Sequence, residues 1–357
     1  MKIEFSPIYS FGQQNIAAYI LELSALITGV GLLEDAQPDL AALRLELIAD
    51  PAAFDLEDEA DYLEAEELGA KNLASEKLGF AITRELESRR DTFGDAYPFV
   101  IAGGSSPSVT VKDDENLTAI GVAVVILSIF DALQDNDVAQ MSSADRTAFA
   151  KMFEPLFEII SAYALSAEIE GAVWWAGRAR GHTRFLRQLR NMASFVGSGL
   201  VRTSDQLEEN QVGVNDGGVD VFGISTLYGQ VNANAVCHLL GATIQKTSRR
   251  NKIIGAASLE RFRNFFINRP NLQLSGVLAI PFRSTLAEAQ NCRDQNCRYY
   301  PLDVINRNIG ETSNRVWHPG LLRFRRMIDK QLISKARPLA AALKVSIAGV
   351  ERDMRTL

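Results

Sequence analysis

Cysteine and histidine are scarce in this chain, with three of each among 357 residues. Cys237, Cys292 and Cys297 form no C-x-x-C pair, and His182, His238 and His318 are scattered. A zinc site is therefore not expected, and the cysteines read as small buried residues of a reducing compartment. A long apolar span is also lacking. The uncharged stretch Leu117 to Phe130 ends at Asp131, short of the roughly 20 residues a bilayer requires, and reads as a buried helix or a helix plus a strand. The opening MKIEFSPIYSFGQQ has neither the basic start nor the apolar run of a signal peptide, so a soluble cytoplasmic protein with no membrane association is expected. The glycine-rich stretch Ile101 to Ser108 lacks the GKS or GKT ending of a phosphate-binding loop, which argues against a nucleotide-hydrolysing motor. No internal repeat is evident.

What is present is ordinary globular material, 47% hydrophobic and 23% charged, in a length that favours two domains over one core. The net charge of −7 conceals a division. Residues 241–357 carry 21 Lys+Arg against 8 Asp+Glu, and residues 1–240 carry 16 against 36. A basic final third is suited to attracting a phosphate backbone, unless the two halves neutralise one another within the fold or an oligomer. The acidic run Asp55 to Lys71 reads as a solvated helix face, with docking to a basic partner as the alternative.

Leucine and alanine spacing is helical from about Asn15 to Arg90. Gly94 to Asp114 is rich in Gly, Pro and Ser and holds two short β-type runs, FVI and SVTV. A second helical block runs from about Ser143, with Ser143 and Asp145 as candidate caps, to Val196. The period then changes. Strands are expected within Val212–Ser225, Asn234–Thr247, Ser275–Phe282 and Tyr299–Ile305, with helices at Ser258–Asn268 and Thr285–Asn296. That order is α/β, built on a mixed sheet. Pro319 to Leu357 reads as a basic helical tail. The expected domains are a mainly helical acidic domain at 1–150, an α/β domain at 151–312 and a basic helical extension at 313–357.

Metal-assisted hydrolysis of a phosphodiester needs carboxylates converging on a cation and a cationic side chain to orient water and offset charge. In Asn215-Asp216-Gly217-Gly218-Val219-Asp220 a turn leads into the strand DVFGI, and Gln245-Lys246 closes ATIQKT further on. This pattern resembles the Mrr-type branch of the PD-(D/E)xK restriction-endonuclease-like nucleases, in which a DGG-[IV]-D strand is followed by a strand ending in Q-x-K or E-x-K. SGVLAIPFRST, a helix and YYPLDVI are similar to the closing β-α-β elements of that branch. The resemblance spans roughly Phe153 to Asn306.

The resemblance implies a restriction-endonuclease-like mixed sheet flanked by helices and cleavage of DNA with Mg2+ or Mn2+. Asp220 would be the metal-binding aspartate, Lys246 the lysine that acts on water, and Gln245 the replacement for a second acid. Glu154 in MFEPLFE is the best-matched helix acid and second metal ligand, with Glu158 one turn on and Glu168 or Glu170 as alternatives. Gln245 and Lys246 are adjacent here where the branch separates them by one residue. On a regular strand they would point to opposite faces. That departure favours the alternative of an inactive DNA-binding or scaffolding subunit of a defence complex. Five arginines between Gly177 and Arg190, and more after Ser313, suit a DNA backbone. The candidate contacts are Arg184, Arg187, Arg249, Arg250, Arg323, Arg325 and Arg326. A role in restriction or anti-phage defence, beside a separate ATPase or other subunit and in an oligomer, is the expectation. A pure interaction protein is the further rival.

Overall fold

A computed structural model describes residues 1–5, 8, 10–36, 38–49, 71–94, 97–112, 119–133, 139–176, 182–197, 200–203, 218–225, 235–244, 252–268, 273–282, 285–314, 319–342, 344–347 and 350–353. The chain divides into two compact units. Unit 1 comprises Met1–Phe149 with Ala336–Leu357, and unit 2 comprises Ala150–Lys335. No helix among the described residues is long and apolar enough to cross a membrane.

Unit 1 is less helical than its spacing suggests. Strand β1 (Lys2–Phe5) lies parallel to β13 (Lys344–Ile347), which is paired with β14 (Val350–Asp353), while β5 (Ala139–Gln140) flanks β1 antiparallel. The final segment is thus not helical throughout. Its alternation of Val345 and Ile347 with Lys344 and Ser346 is the period of a strand, and it pairs with residues at the opposite end of the sequence. A second sheet, in the order β2-β4-β3, comprises Val30–Leu32, Ser108–Val111 and Phe99–Ala102. The last two are the FVI and SVTV runs, joined antiparallel. The helices are α1 (Gln14–Thr28), α2 (Leu40–Ala49), α3 (Lys71–Phe93) and α4 (Ala119–Ala132). The uncharged stretch before Asp131 is therefore a helix. Glu22 of α1 is buried, and its carboxylate accepts from Arg89 Nε and Nη2 (2.9 and 2.7 Å) and from the Tyr97 hydroxyl (2.6 Å). Arg89 also donates to Ser128 Oγ at 2.6 Å and lies 4.2 Å from the Tyr19 ring centre. Full pairing offsets the desolvation of these charges.

Unit 2 is organised on five strands in the order β12-β11-β9-β8-β6. These are β6 (Ala172–Trp175), β8 (Val221–Ile224), β9 (Val236–Ala242), β11 (Gln273–Ala279) and β12 (Cys297–Tyr300). The pairs β6/β8 and β8/β9 are antiparallel; β9/β11 and β11/β12 are parallel. A separate ribbon pairs β7 (Leu200–Val201) with β10 (Phe266–Asn268). The crossover from β9 to β11 carries α7 (Ala256–Arg263), and that from β11 to β12 carries α8 (Leu286–Asp294). Thr285 caps α8 by accepting from the Glu288 N–H at 3.3 Å, the first half of a capping box.

Helix α5 (Ser143–Ile169) precedes the sheet. Its cap is Ser142, whose Oγ accepts from the Asp145 N–H at 3.1 Å, one residue before the expected position. It packs on the face of β8 that bears Gly223. A Cβ there would meet Ile169 and Val173 at 2.7 and 3.0 Å. The other face of the sheet is aromatic. Trp174 stacks on Phe222 at 5.9 Å, and Phe185 of α6 (His182–Val196) meets Phe222 and Phe265. Helix α10 (Pro319–Ala342) touches both layers, through Phe324 against Trp174 and through Arg325 over the Tyr163 ring of α5.

Two differences from the expected elements have local causes. Within the expected helical block, α5 ends at Ile169, just before Glu170, whose φ is 47°, and the apolar run AVWW becomes the edge strand β6. The expected strand Tyr299–Ile305 stops at Tyr300, because Pro301 has no N–H to give a ladder. Helix α9 (Leu302–Asn314) starts immediately after it, as proline allows at a helix N-terminus.

Candidate active site

Asp220 is fixed by its backbone before its side chain is considered. Its N–H donates to Leu240 O and its carbonyl accepts from the Ala176 N–H, both at 2.9 Å, so it bridges the ends of β6 and β9 at the start of β8. The carboxylate is buried, and Oδ2 accepts from the Ala242 N–H at 2.8 Å. Lys252 Nζ lies 2.8 Å from both Oδ1 and Oδ2. The ammonium thus straddles the carboxylate. Gly241 makes room for this lysine, since a Cβ there would stand 2.4 Å from the Lys252 carbonyl oxygen.

Helix α5 supplies the other acids. Pro155 removes one helical N–H between Glu154 and Glu158, both of which are buried, and so interrupts the hydrogen-bond ladder on this stretch. Trp175 of β6 donates from Nε1 to Glu158 Oε2 at 2.7 Å. Burial pushes the Glu158 carboxyl up to about 8, and the Asp220 charge adds to it. The Trp175 bond and Lys252 oppose the rise, and Glu154 reinforces it. Two carboxyl groups from α5 and β8 therefore feel one another in a poorly solvated place, with one ammonium between sheet and solvent.

This donor set is all oxygen, which suits a hard divalent cation over zinc. Magnesium is commonly held by only one or two carboxylates and keeps several waters. Among the described residues no group of three or more His, Cys, Asp or Glu side chains converges as a ready ion cage. Asp220 with Glu158 meets the smaller requirement, and the ammonium on Asp220 marks where a cation is favoured.

The sequence candidates are distributed as follows. Asp220 is at the centre of the cluster, and Glu154 lies one turn before Glu158. Gln245, Lys246, Arg249 and Arg250 lie outside the described residues. Lys252, on the far side of that segment, is the lysine brought to Asp220. Its spacing matched no motif, although it is the next lysine after Lys246. Glu168 pairs instead with Arg298 and accepts from Asn308 Nδ2 at 3.3 Å. Arg187, Arg323 and Arg326 are exposed, and Arg184 lies on α6. Arg325 turns inward, 3.6 Å from Asp329, with its guanidinium over Tyr163.

A second polar cluster has the outline of a serine–histidine pair but the wrong proton order. Ser225 Oγ is 2.8 Å from His238 Nε2, and Arg298 Nη1 is 3.3 Å from Nδ1. A guanidinium can only donate, so Nδ1 accepts and Nε2 carries the hydrogen. Ser225 Oγ in turn donates to Val236 O at 3.3 Å. His238 therefore cannot take the serine proton, and burial lowers its pKa to about 4. The chain of bonds ties β8, β9 and β12 together and activates no nucleophile. No protein-family model, no curated protein and no solved structure matches this chain.

Proposed function

We propose that unit 2 is a metal-dependent nuclease acting on DNA, with a restriction-endonuclease-like core. The observation that carries this reading is the Asp220 carboxylate, immobilised at the start of β8, bridged by Lys252 and set against Glu158 of α5. The sheet supports it: an antiparallel β6-β8-β9 meander followed by two parallel crossovers sets the start of β8 beside the end of β9, with a helix acid from the preceding element.

Asp220 and Glu158 would hold Mg2+ or Mn2+, with Glu154 as a further oxygen donor. When bound, such an ion polarises a phosphoryl oxygen and makes a bound water more acidic. The chain's own residues prepare the site. The Ala242 amide holds the Asp220 rotamer, and the Trp175 indole holds that of Glu158. Lys252 supplies a positive charge for the phosphate or the attacking water. Exposed Arg187, Arg323 and Arg326 give a basic surface whose contribution to DNA binding would weaken steeply with salt. A place in restriction or anti-phage defence, in the cytoplasm and beside a separate ATPase, fits a nuclease in which no phosphate-binding loop was found.

One observation favours the second reading of an inactive DNA-binding subunit. Lys252 already neutralises both Asp220 oxygens, so a metal has to compete with it. Plasmid and linear DNA incubated with the full chain and Mg2+ or Mn2+ decides between them, with Asp220→Asn, Lys252→Met and Lys246→Ala alongside. The nuclease reading requires cleavage that is lost in Asp220→Asn and Lys252→Met. Salt-sensitive DNA binding without cleavage, unchanged in both, would establish the inactive subunit.

A further inference from the structure

Lys252 is fixed through its backbone and reaches Asp220 only through a long side chain. Gly241 of β9 and Gly276 of β11 lie so close to the carbonyls of Lys252 and Ile254 that a Cβ on either glycine would collide with them. Ile253 and Ile254 are buried. The main chain at Lys252 is therefore clamped by close packing against two strands, and displacement is left to the four-carbon side chain. That side chain is 26% exposed, whereas the Asp220 side chain is 3% exposed. The ammonium has a route toward solvent that the carboxylate lacks.

The ammonium also lies where a divalent ion would have to bind. Asp220 Oδ2 accepts from both the Ala242 N–H and Lys252 Nζ, which uses the acceptor positions of one carboxylate oxygen, and Nζ covers Oδ1 as well. A magnesium ion on either oxygen, at about 2.1 Å, would stand within about 5 Å of an ammonium that kept its contacts to both. Like charges that close repel strongly in a poorly solvated site. The opposite move is equally constrained, because a buried carboxylate left without any cation is costly. Departure of the ammonium and arrival of a metal are therefore one exchange, and the ammonium needs an anion to go to.

We propose that Lys252 is an internal counter-ion that couples metal loading to DNA: a backbone phosphate draws its ammonium off Asp220, and the carboxylate so released takes the divalent ion. The proposal rests on the reading of Asp220 with Glu158 as a metal site. The clamped backbone sets where the phosphate must lie, within reach of one lysine side chain on its solvent-facing side. One carboxylate–ammonium pair is exchanged for a carboxylate–metal pair and a phosphate–ammonium pair, so Asp220 is never left without a cation. The coupling is mutual: DNA raises the affinity for the metal by the factor by which the metal raises the affinity for DNA.

The test measures Mn2+ binding to the full chain from the electron paramagnetic resonance signal of the free ion, with and without a phosphorothioate duplex, which keeps the backbone charge and resists cleavage. Ions held by the duplex itself are counted in the same mixture made with Asp220→Asn and subtracted. In the parent chain the duplex is expected to raise Mn2+ affinity by about 10-fold or more. Lys252→Met is expected to bind Mn2+ without DNA about 10-fold more tightly than the parent and to gain little from the duplex. Lys252→Gln, which keeps an N–H for Asp220 without the charge, should behave alike, and melting curves establish that both variants are folded. Loss of the DNA dependence is the readout that a merely structural lysine would not move. A parent affinity unchanged by the duplex overturns the proposal whatever the variants do. Affinities that depend on Asp220 but rise equally with DNA in all three chains overturn it as well and leave the metal site standing. No Mn2+ retained through Asp220 in any chain, Lys252→Met included, overturns the metal-site reading and the proposal together.

Discussion

Replacing Glu158 by glutamine is expected to stabilise unit 2 in alkaline buffer while removing the proposed DNA cleavage. In the folded protein the Glu158 carboxyl is pushed from its ordinary 4.5 up to about 8 by burial and by Asp220. The folded state then holds this proton across the interval between those values, where the unfolded chain has lost it. Stability therefore falls as pH rises from about 4.5 to about 8, and the full cost is present above that. At about 1.4 kcal/mol for each pH unit the ceiling is ~5 kcal/mol. Relaxation of the site and water entry would reduce the observed gain to about 2–3 kcal/mol. Glutamine keeps the shape and an oxygen that can accept from Trp175, and it has no charge to desolvate. All three tryptophans, Trp174, Trp175 and Trp317, fall within the span of unit 2, so urea unfolding followed by tryptophan emission reports on that unit. The variant should match the parent near pH 5 and exceed it near pH 9. A difference that does not grow between these conditions, or that has the opposite sign, would refute the electrostatic account of this site.

Gly241→Ala changes no charged group, yet it places a Cβ 2.4 Å from the Lys252 carbonyl. Cleavage should fall by about 10-fold or more, because small displacements of a positioned cation are costly, and melting should drop as well, by the ~1–3 kcal/mol of an overpacked site; equal rates would remove Lys252 from the reaction. His238 should stay neutral with its hydrogen on Nε2 above about pH 5, as read from imidazole nitrogen shifts. Because burial lowers its pKa from 6.5 to about 4, its contribution to stability is present above about pH 6.5 and is lost as pH falls through about 4. In unit 1, Arg89→Met leaves Glu22 buried without its main partner and should cost about 3–5 kcal/mol, measured by hydrogen exchange of α1 amides. Adding Glu22→Met should recover part of that loss.

The parts of the site that were legible depend on local pattern. Asp220 follows a glycine turn at the start of a β-branched strand, and both features lie within a few residues of it. The helix acids stood out for the same reason, with MFEPLFE spacing them one turn apart. Lys252 had no such signal, because its approach to Asp220 depends on the path of the intervening chain and on the absence of a side chain at Gly241. The central strands were readable because β9 and β11 each carry a short apolar stretch, Leu239–Ala242 and Val277–Ala279, next to turn-forming residues. β6 was not, since AVWW is only four residues long and sits between helices. The pairing of β1 with β13 is the extreme case: Lys2 meets Lys344, and no window along the sequence contains both. The Glu22–Arg89 pair joins two helices, each of which by periodicity alone would keep its charges in solvent.

That pairing has a consequence for how the protein is made. Unit 1 needs β13 and β14 to complete the sheet that contains β1, so during synthesis the β13 side of β1 stays unfilled until Lys344–Ile347 have been made. Unit 2 is contiguous in sequence and can acquire its five-stranded core before that closure. The nascent protein would therefore pass through a stage with one unit formed and the other open along β1, when an added strand from elsewhere could take the place reserved for β13.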